Sequence, residues 1–176
     1  MNDAPAFNPF TLVYDALWDL AMRSGDLRTR VREGNRISFG SPTNSNPTKP
    51  QIAAGDLPEL VLVVRSMSAN LHNTSSGSMC TREYAWQISG GDYRYSQTLA
   101  PLEWELFCAM AGWRKTLTEL RWRDVAFCKK MTLNGGQTGL SDPQNNRNII
   151  GWSAVWTLSV EMHFKQEHLD DEIKED

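Results

Sequence analysis

A long alternation of apolar and polar residues in the C-terminal part of the sequence constrains the fold more than any other feature. In GWSAVWTLSVEMHF, residues 151–164, every second residue from Trp152 onward is apolar, and most of the residues between them are polar. Side chains of a strand point alternately to its two faces, so this pattern predicts a long strand with one face on a core. We expect Trp156, Leu158 and Val160 to lie in that core, whereas Trp152 suits either the core or an interface.

The segment NPFTLVYDALWDLAMRSG, residues 8–25, predicts the first helix. Asn8 is a favourable N-cap. Pro9 suits the first helical position, because the backbone N–H that proline lacks would have no hydrogen-bond partner within the helix at that position. Apolar residues follow at steps of three and four, which predicts one buried stripe. Gly25 suits the residue that ends the helix.

Residues 98–113 predict a second helix, with Pro101 in its first turn. Glu103 and Glu105 are expected near the positive end of the helix dipole, where they stabilise it. Being two positions apart, they point about 200° apart around the helix and cannot work together as an acid–base pair. The predicted apolar stripe comprises Leu102, Leu106, Phe107, Met110 and Trp113.

Further strands are predicted between and after the helices, separated by long polar connections. The strands are expected at 37–39, 59–67, 81–91 and 121–133, and the connections at 41–58, 68–80 and 134–148. Strands that follow one another without a helix between them favour antiparallel pairing. The sequence therefore predicts an α+β fold, with a mainly antiparallel sheet of four to five strands packed against two helices.

The predicted domain organisation is a short N-terminal arm, 1–7, one domain, 8–165, and an acidic tail, 166–176. The tail carries a net charge of −5 within a chain of net charge −3, and we expect it to be flexible and solvated. Five Arg between residues 23 and 36 oppose two acids, a net charge of +3. The overall acidity predicts no general attraction to nucleic acid or to an anionic membrane.

The sequence offers little that resembles a reactive centre. Three Cys at unrelated spacings favour neither a disulfide framework nor a zinc site, and they suit a reducing compartment. The three His have no neighbours typical of a triad or a metal site, and we expect them to be solvated. With no signal peptide or membrane-spanning run in the sequence, we predict a soluble protein assembled in a cytoplasm, with no catalytic residue, metal or cofactor.

The order of elements resembles that of the tail-terminator, or tail-completion, proteins of long-tailed bacteriophages, which are also classed as minor tail proteins. The resemblance rests on the first helix, then DLPELVLVV (56–64), ISGGDYRY (88–95), LAPLEWELFCAMAG (99–112) and the final strand. It covers about residues 8–165. The predicted loop at 134–148 is longer than expected for a minimal member of that family.

The resemblance implies a structural virion protein that forms a ring, expected to be hexameric, at the head-proximal end of the tail tube. Such a ring ends tube polymerisation and contacts the head–tail connector, while DNA passes through its lumen without sequence-specific binding. Rings need contacts that close by rotation, and opposite charges can set their register. The candidate interface residues are Arg28, Arg30, Arg32, Arg36, Asp92, Arg94 and Trp152.

Three alternatives remain open on the sequence. The first is another neck, connector or tail-tube-related protein of the same particle. The second is a monomeric module that uses the sheet and its long loops to bind a peptide or small ligand in an apolar pocket lined by Trp86, Trp104 or Trp113. The third is an enzyme of unfamiliar type that brings Asp92, His72 or Cys80 together in a cleft.

Overall fold

The computed structural model describes residues 8–38, 58–66, 72–90, 94–141 and 151–173. Its helices are α1 (Pro9–Arg23), α2 (Gly25–Arg30), α3 (Tyr95–Ala111), α4 (Arg114–Leu117) and α5 (Gln166–Ile173), with one 3₁₀ turn at Glu33–Asn35. Its strands are β1 (Arg36–Ser38), β2 (Glu59–Ser66), β3 (His72–Thr74), β4 (Gly77–Ser89), β5 (Arg121–Trp122), β6 (Val125–Ala126), β7 (Cys128–Ser141) and β8 (Gly151–Lys165).

Six of these strands form one sheet in the order β1-β2-β4-β8-β7, with β3 paired to β4 beside that path. Only β1 and β2 are parallel, and every other pair is antiparallel. The strands β5 and β6 form a separate two-stranded hairpin. The predicted α+β class with a mainly antiparallel sheet is therefore confirmed.

The long alternating segment forms β8, as predicted, and it lies between β4 and β7 within the sheet. Its inner face packs beneath the helices: Leu158, Val160 and Met162 are fully buried there. Across the β4 pairing, Leu158 faces Tyr84 and Trp156 faces Trp86. Trp156 itself is only half-buried, because it lies where the core reaches the surface beside α3.

The first helix begins as predicted but ends differently. The side chain of Asn8 accepts a hydrogen bond from the backbone N–H of Thr11 at 2.9 Å, and Pro9 is the first helical residue. The predicted end at Gly25 is wrong, because α1 stops one residue earlier, at Ser24. The Ser24 hydroxyl accepts a hydrogen bond from the N–H of Leu27 at 3.2 Å, which starts the short helix α2 on Gly25.

The second predicted helix, α3, starts earlier than expected. It begins at Tyr95, and the carbonyl of Arg94 accepts hydrogen bonds from the N–H groups of Gln97 and Thr98. Pro101 consequently lies inside the helix and not in its first turn. The apolar stripe is buried at Leu102, Leu106 and Met110, whereas Phe107 is exposed and Trp113 half-buried.

Two predicted connections contain strand. The segment 68–80 includes the hairpin of β3 and β4, which turns at residues 75–76. The predicted strand 121–133 is divided by a turn in which Arg123 and Asp124 have φ of 49° and 62°. The strand β7 continues to Ser141, so the prediction of a loop is wrong for residues 134–141. Pairing with β8 extends the strand through its glycines.

The acidic segment expected to be a flexible tail forms helix α5 over Gln166–Ile173. The side-chain amide of Gln166 donates a hydrogen bond to Asp170 at 2.6 Å, one helical turn away. Arg123 also donates a hydrogen bond to the carbonyl of His168. The predicted arm 1–7, most of the connection 41–58 and residues 142–150 lie outside the described residues.

Candidate functional site

A buried carboxylate lies where α3 crosses the sheet. Glu103 is only 6% exposed, and its Oε1 accepts hydrogen bonds from the Thr138 hydroxyl at 2.8 Å and the Trp156 indole N–H at 2.9 Å. Its Oε2 accepts one from the Tyr95 hydroxyl at 2.7 Å. The prediction that Glu103 complements the positive end of the helix dipole is wrong, because α3 begins at Tyr95 and Glu103 lies in its middle, where donors from α3, β7 and β8 surround the carboxylate.

A glycine makes this arrangement possible. Gly136 lies opposite Trp156 in the β7–β8 pairing, just past a register shift that follows Leu133. A Cβ atom at Gly136 would lie 2.9 Å from the Nε1 and Cε2 atoms of the Trp156 ring. The absence of a side chain therefore lets the indole lie against β7 and reach Glu103.

Aromatic rings surround Glu103 and extend to the surface. We define the aromatic patch as Tyr95, Trp104, Phe107, Trp152 and Trp156. The Trp104 and Phe107 rings stack at 5.7 Å between centroids, Phe107 contacts Trp156 at 6.5 Å, and Tyr95 contacts Trp152 at 5.2 Å. Tyr95, Trp104 and Phe107 are 38%, 62% and 42% exposed, and all three are on α3.

The patch has the composition of a protein–protein contact. Tyr and Trp are over-represented among residues that dominate binding energy, since each buries a large area with little loss of side-chain freedom. The hydrogen bond to Glu103 raises the pKa of the Tyr95 phenol, because this bond favours the neutral, donating form. Trp152, a candidate interface residue, belongs to the patch.

The candidate arginines lie elsewhere. Arg28, Arg30 and Arg32 are exposed on or just after α2. Arg36 is bound within the chain itself: its guanidinium donates hydrogen bonds to the carbonyls of Val31 at 2.8 Å and Arg28 at 2.6 Å. These carbonyls lie at the C-terminal end of α2, where a cation is favourable.

The aromatic patch and α2 lie on opposite flanks of α3. Glu105 turns toward the α1–α2 junction, where the Ser24 hydroxyl donates to its carboxylate at 3.4 Å. Glu103, two positions earlier, turns toward β7 and β8 through Thr138. The chain therefore presents an aromatic surface on one flank of α3 and a basic helix on the other.

Of the two remaining candidates, Arg94 lies within the described residues and Asp92 does not. Arg94 is exposed immediately before α3, next to Tyr95 of the patch. Asp92 lies outside the described residues. The structure thus groups Trp152 with the aromatic patch and places Arg94 at its margin, apart from the arginines of α2.

Comparison with known proteins provides no family for the chain. No protein-family model matches it, and no curated protein matches it either. The aromatic patch must therefore be interpreted from its own geometry and chemistry.

Two candidates for a reactive centre, His72 and Cys80, lie within the described residues. Within them, no group of three or more His, Cys, Asp or Glu is placed to hold a metal ion. Cys80 is buried, which raises the pKa of its thiol, while His72 is exposed in the β3–β4 hairpin. His168, predicted to be solvated, is half-buried on α5.

The tryptophans of the ligand-pocket hypothesis have different environments. Trp86 is fully buried and stacks on Trp18 at 5.9 Å, Trp104 is exposed, and Trp113 is half-buried. Two surface cavities, of about 400 and 370 Å³, are not lined by any of these three rings. In the described ranges, no helix is both long and apolar enough to cross a bilayer.

Proposed function

We propose that this chain is a structural protein of a bacteriophage particle. In this proposal it forms a closed hexameric ring at the head-proximal end of the tail tube, where it ends tube polymerisation and contacts the head–tail connector. The location in the particle comes from the resemblance in element order. The capacity for self-assembly is supported by the surface of the described fold.

The observation that carries the proposal is the aromatic patch. Trp104 and Phe107 are exposed as a stacked pair on α3, Tyr95 is exposed at the start of the same helix, and the half-buried Trp152 and Trp156 contact Tyr95 and Phe107 respectively. Grouped apolar surface of this kind is typical of a contact with another protein. A second protein surface that covers the rings removes them from water and stabilises the complex.

The two-sided arrangement around α3 supports a ring in particular. A ring of identical subunits uses a head-to-tail contact, in which one surface of each copy meets a different surface of the next. The aromatic patch and the basic helix α2 point to different sides of the subunit, as such a contact requires. A pair of identical patches meeting face to face would instead stop at a dimer.

The sheet provides a further surface for the tube or the connector. In the described sheet, β7 is an edge strand of 14 residues. Lys129 and Lys130 are exposed near its start, and such charges discourage uncontrolled pairing of an edge. The later part of β7 lacks charge, so it is the part suited to pairing with a partner strand.

Native mass spectrometry and electron microscopy of the purified protein test the proposal. We expect a species of six times the 19.9 kDa chain mass that appears as a sixfold ring and caps isolated tail tubes. A ring that binds only a connector, and not tubes, would instead favour another neck component. A monomer at micromolar concentration that also fails to bind tubes or connectors would contradict the proposal.

A further inference from the structure

A cavity of about 400 Å³ opens at one end of the sheet, between the β3–β4 hairpin, β6 and the last residues of β8. Four side chains that carry nitrogen atoms line it: His72 from β3, Lys129 from β7, and His163 and Lys165 from β8. Among the described residues, no Asp or Glu and no member of the aromatic patch lines it. The described lining of this cavity is therefore basic.

The strand register brings the two histidines to the same face of the sheet. His72 pairs with Met79 across β3 and β4, and Met79 pairs with His163 across β4 and β8. Paired residues of neighbouring strands point to the same side, so the two imidazoles flank Met79. That side is opposite the core, because Met162, the neighbour of His163 in β8, is fully buried.

A β-bulge sets the position of Lys129. Cys128 and Lys130 pair with consecutive residues of β8, so Lys129 is the additional residue between them. Bulges change the direction of a side chain and are frequent beside functional sites. The Lys129 side chain is exposed, and it forms no hydrogen bond or ion pair with any other described residue. Its positive charge is therefore free to meet a ligand in the cavity.

The hydroxyl groups of the hairpin wall are already engaged. The Thr74 hydroxyl donates to the carbonyl of Gly77 at 3.0 Å, and the Ser78 hydroxyl donates to the side-chain oxygen of Asn73 at 2.7 Å. These bonds hold the hairpin in shape but leave neither hydroxyl proton for a ligand. Recognition is therefore left to the nitrogen groups, which favours an anion.

Two of these nitrogen groups also have carboxylate partners that do not line the cavity. The ammonium of Lys165 lies 3.2 Å from Glu167, and Nε2 of His163 lies 2.7 Å from Glu161. An ammonium group has three N–H donors, so Lys165 can bind an anion while it stays paired. Exposed pairs of this kind contribute little to stability, so an anion can also take the place of Glu167.

We propose that this cavity binds the phosphate group of a small phosphate monoester. Lys129, Lys165 and His72 donate hydrogen bonds to the phosphate oxygens. A phosphate monoester suits several separate donors better than a carboxylate does, since it carries roughly 1.5 to 2 negative charges and three terminal oxygens at pH 7. The inference does not depend on the proposed ring, and the two can fail separately.

The rest of the cavity accommodates the organic part of the ligand. Its other wall is apolar and half-buried, and it consists of Met79, Val125, Ala126 and Phe164. The volume of about 400 Å³ is within the range of about 300–1,000 Å³ that small-molecule sites usually have. Apolar groups of the ligand that leave water against this wall add to the binding of the phosphate.

Calorimetric titration with phenyl phosphate, in buffer without phosphate or sulfate, tests the site. We expect saturable binding to the wild type, and Lys129→Ala to raise the dissociation constant about tenfold, because a charged hydrogen-bond donor is lost. Lys130→Ala is the matched control: it removes the exposed cation next along β7, which does not line the cavity. We expect the control to bind like the wild type. No binding by the wild type, or equal weakening in the two variants, would overturn the inference.

Two further ligands distinguish the source of the phosphate. Inorganic phosphate should bind severalfold more weakly than phenyl phosphate, because it has no group to pack on the apolar wall. Equal dissociation constants for the two would overturn the assignment of that wall. A short DNA duplex should fail to displace phenyl phosphate. Displacement by the duplex would assign the cavity to a nucleic-acid backbone and overturn the small-molecule assignment.

Discussion

The indole nitrogen of Trp156 donates a hydrogen bond to Glu103 across 2.9 Å, and this bond joins the last strand of the sheet to the middle of α3. The same carboxylate accepts the Tyr95 hydroxyl at the surface. Glu103 therefore belongs both to the interior and to the aromatic patch. A change at this residue is expected to alter stability and the shape of the patch together.

Replacement of Glu103 by Ala is expected to lower the free energy of unfolding by about 2–3 kcal/mol, because the half-buried Trp156 N–H loses its acceptor. Urea denaturation followed by tryptophan fluorescence measures this change. Glu105→Ala is the matched control: its carboxylate has only a 3.4 Å contact with Ser24, and we expect a loss below about 1 kcal/mol. Equal losses in the two variants would contradict the structural role of Glu103.

Gly136→Ala is expected to destabilise the fold by roughly 1–3 kcal/mol, because the added methyl group would overlap the Trp156 ring. The near-ultraviolet circular dichroism of the tryptophans should change as well, since the ring must move away from Glu103. Gly139→Ala, on the same strand, places its methyl group in open space, and we expect a change within about 0.5 kcal/mol. A Gly136 variant as stable as the wild type would show that the ring can move freely.

The three thiols are expected to react at very different rates. Burial raises the pKa of Cys128 to about 12 and also raises that of Cys80, so neither forms much thiolate at pH 8. Cys108 is exposed on α3. An aromatic disulfide reagent should therefore titrate one thiol quickly in the native protein and three after unfolding. In Cys108→Ser the fast phase should vanish, and its persistence would show that a buried thiol opens to solvent.

Stability is expected to fall at alkaline pH through Tyr84. Burial raises the pKa of this phenol far above its ordinary value of 10.0. The fold thus favours the neutral phenol. The contribution of Tyr84 to the free energy of unfolding is therefore complete below pH 10 and is lost as the phenol of the unfolded chain ionises above it. Urea denaturation at pH 9 to 11 measures the slope, at most about 1.4 kcal/mol per pH unit for one group. Tyr84→Phe should have a shallower slope above pH 10, whereas an unchanged slope would assign the effect to other groups.

The elements that the sequence predicts best are those whose patterns lie within a few neighbouring residues. The cap at Asn8 marks the start of α1, and the alternation around Leu158 marks β8, because both patterns depend on a few neighbouring residues. The burial of Glu103 was not predictable in this way, since its donors Thr138 and Trp156 are 35 and 53 positions away. The glycines of β7 predict a loop on the sequence alone, because only their pairing with β8 makes this segment a strand.

One feature of the aromatic patch was visible in the sequence. Trp104 does not fall on the apolar stripe of α3, which runs through Leu102, Leu106 and Met110. A large aromatic residue away from the buried stripe is expected at the surface, and it becomes informative only when grouped with other exposed rings, as Trp104 is with Phe107. The exposure of Phe107 could not be predicted in this way, because its spacing fits the buried stripe, yet it is 42% exposed between Trp104 and Trp156.

The position of β8 between β4 and β7 has a consequence for how the protein is made. Both neighbours precede β8 in the chain, β7 directly and β4 with α3 and three further strands between them, so a nascent polypeptide leaving the ribosome has β4 long before the strand that joins it to β7. Until then, the β4 backbone lacks its β8 partner, and contacts this distant in sequence form slowly. The molecule should therefore complete its sheet only after synthesis of β8, with a window in which mispairing between neighbouring chains competes with folding.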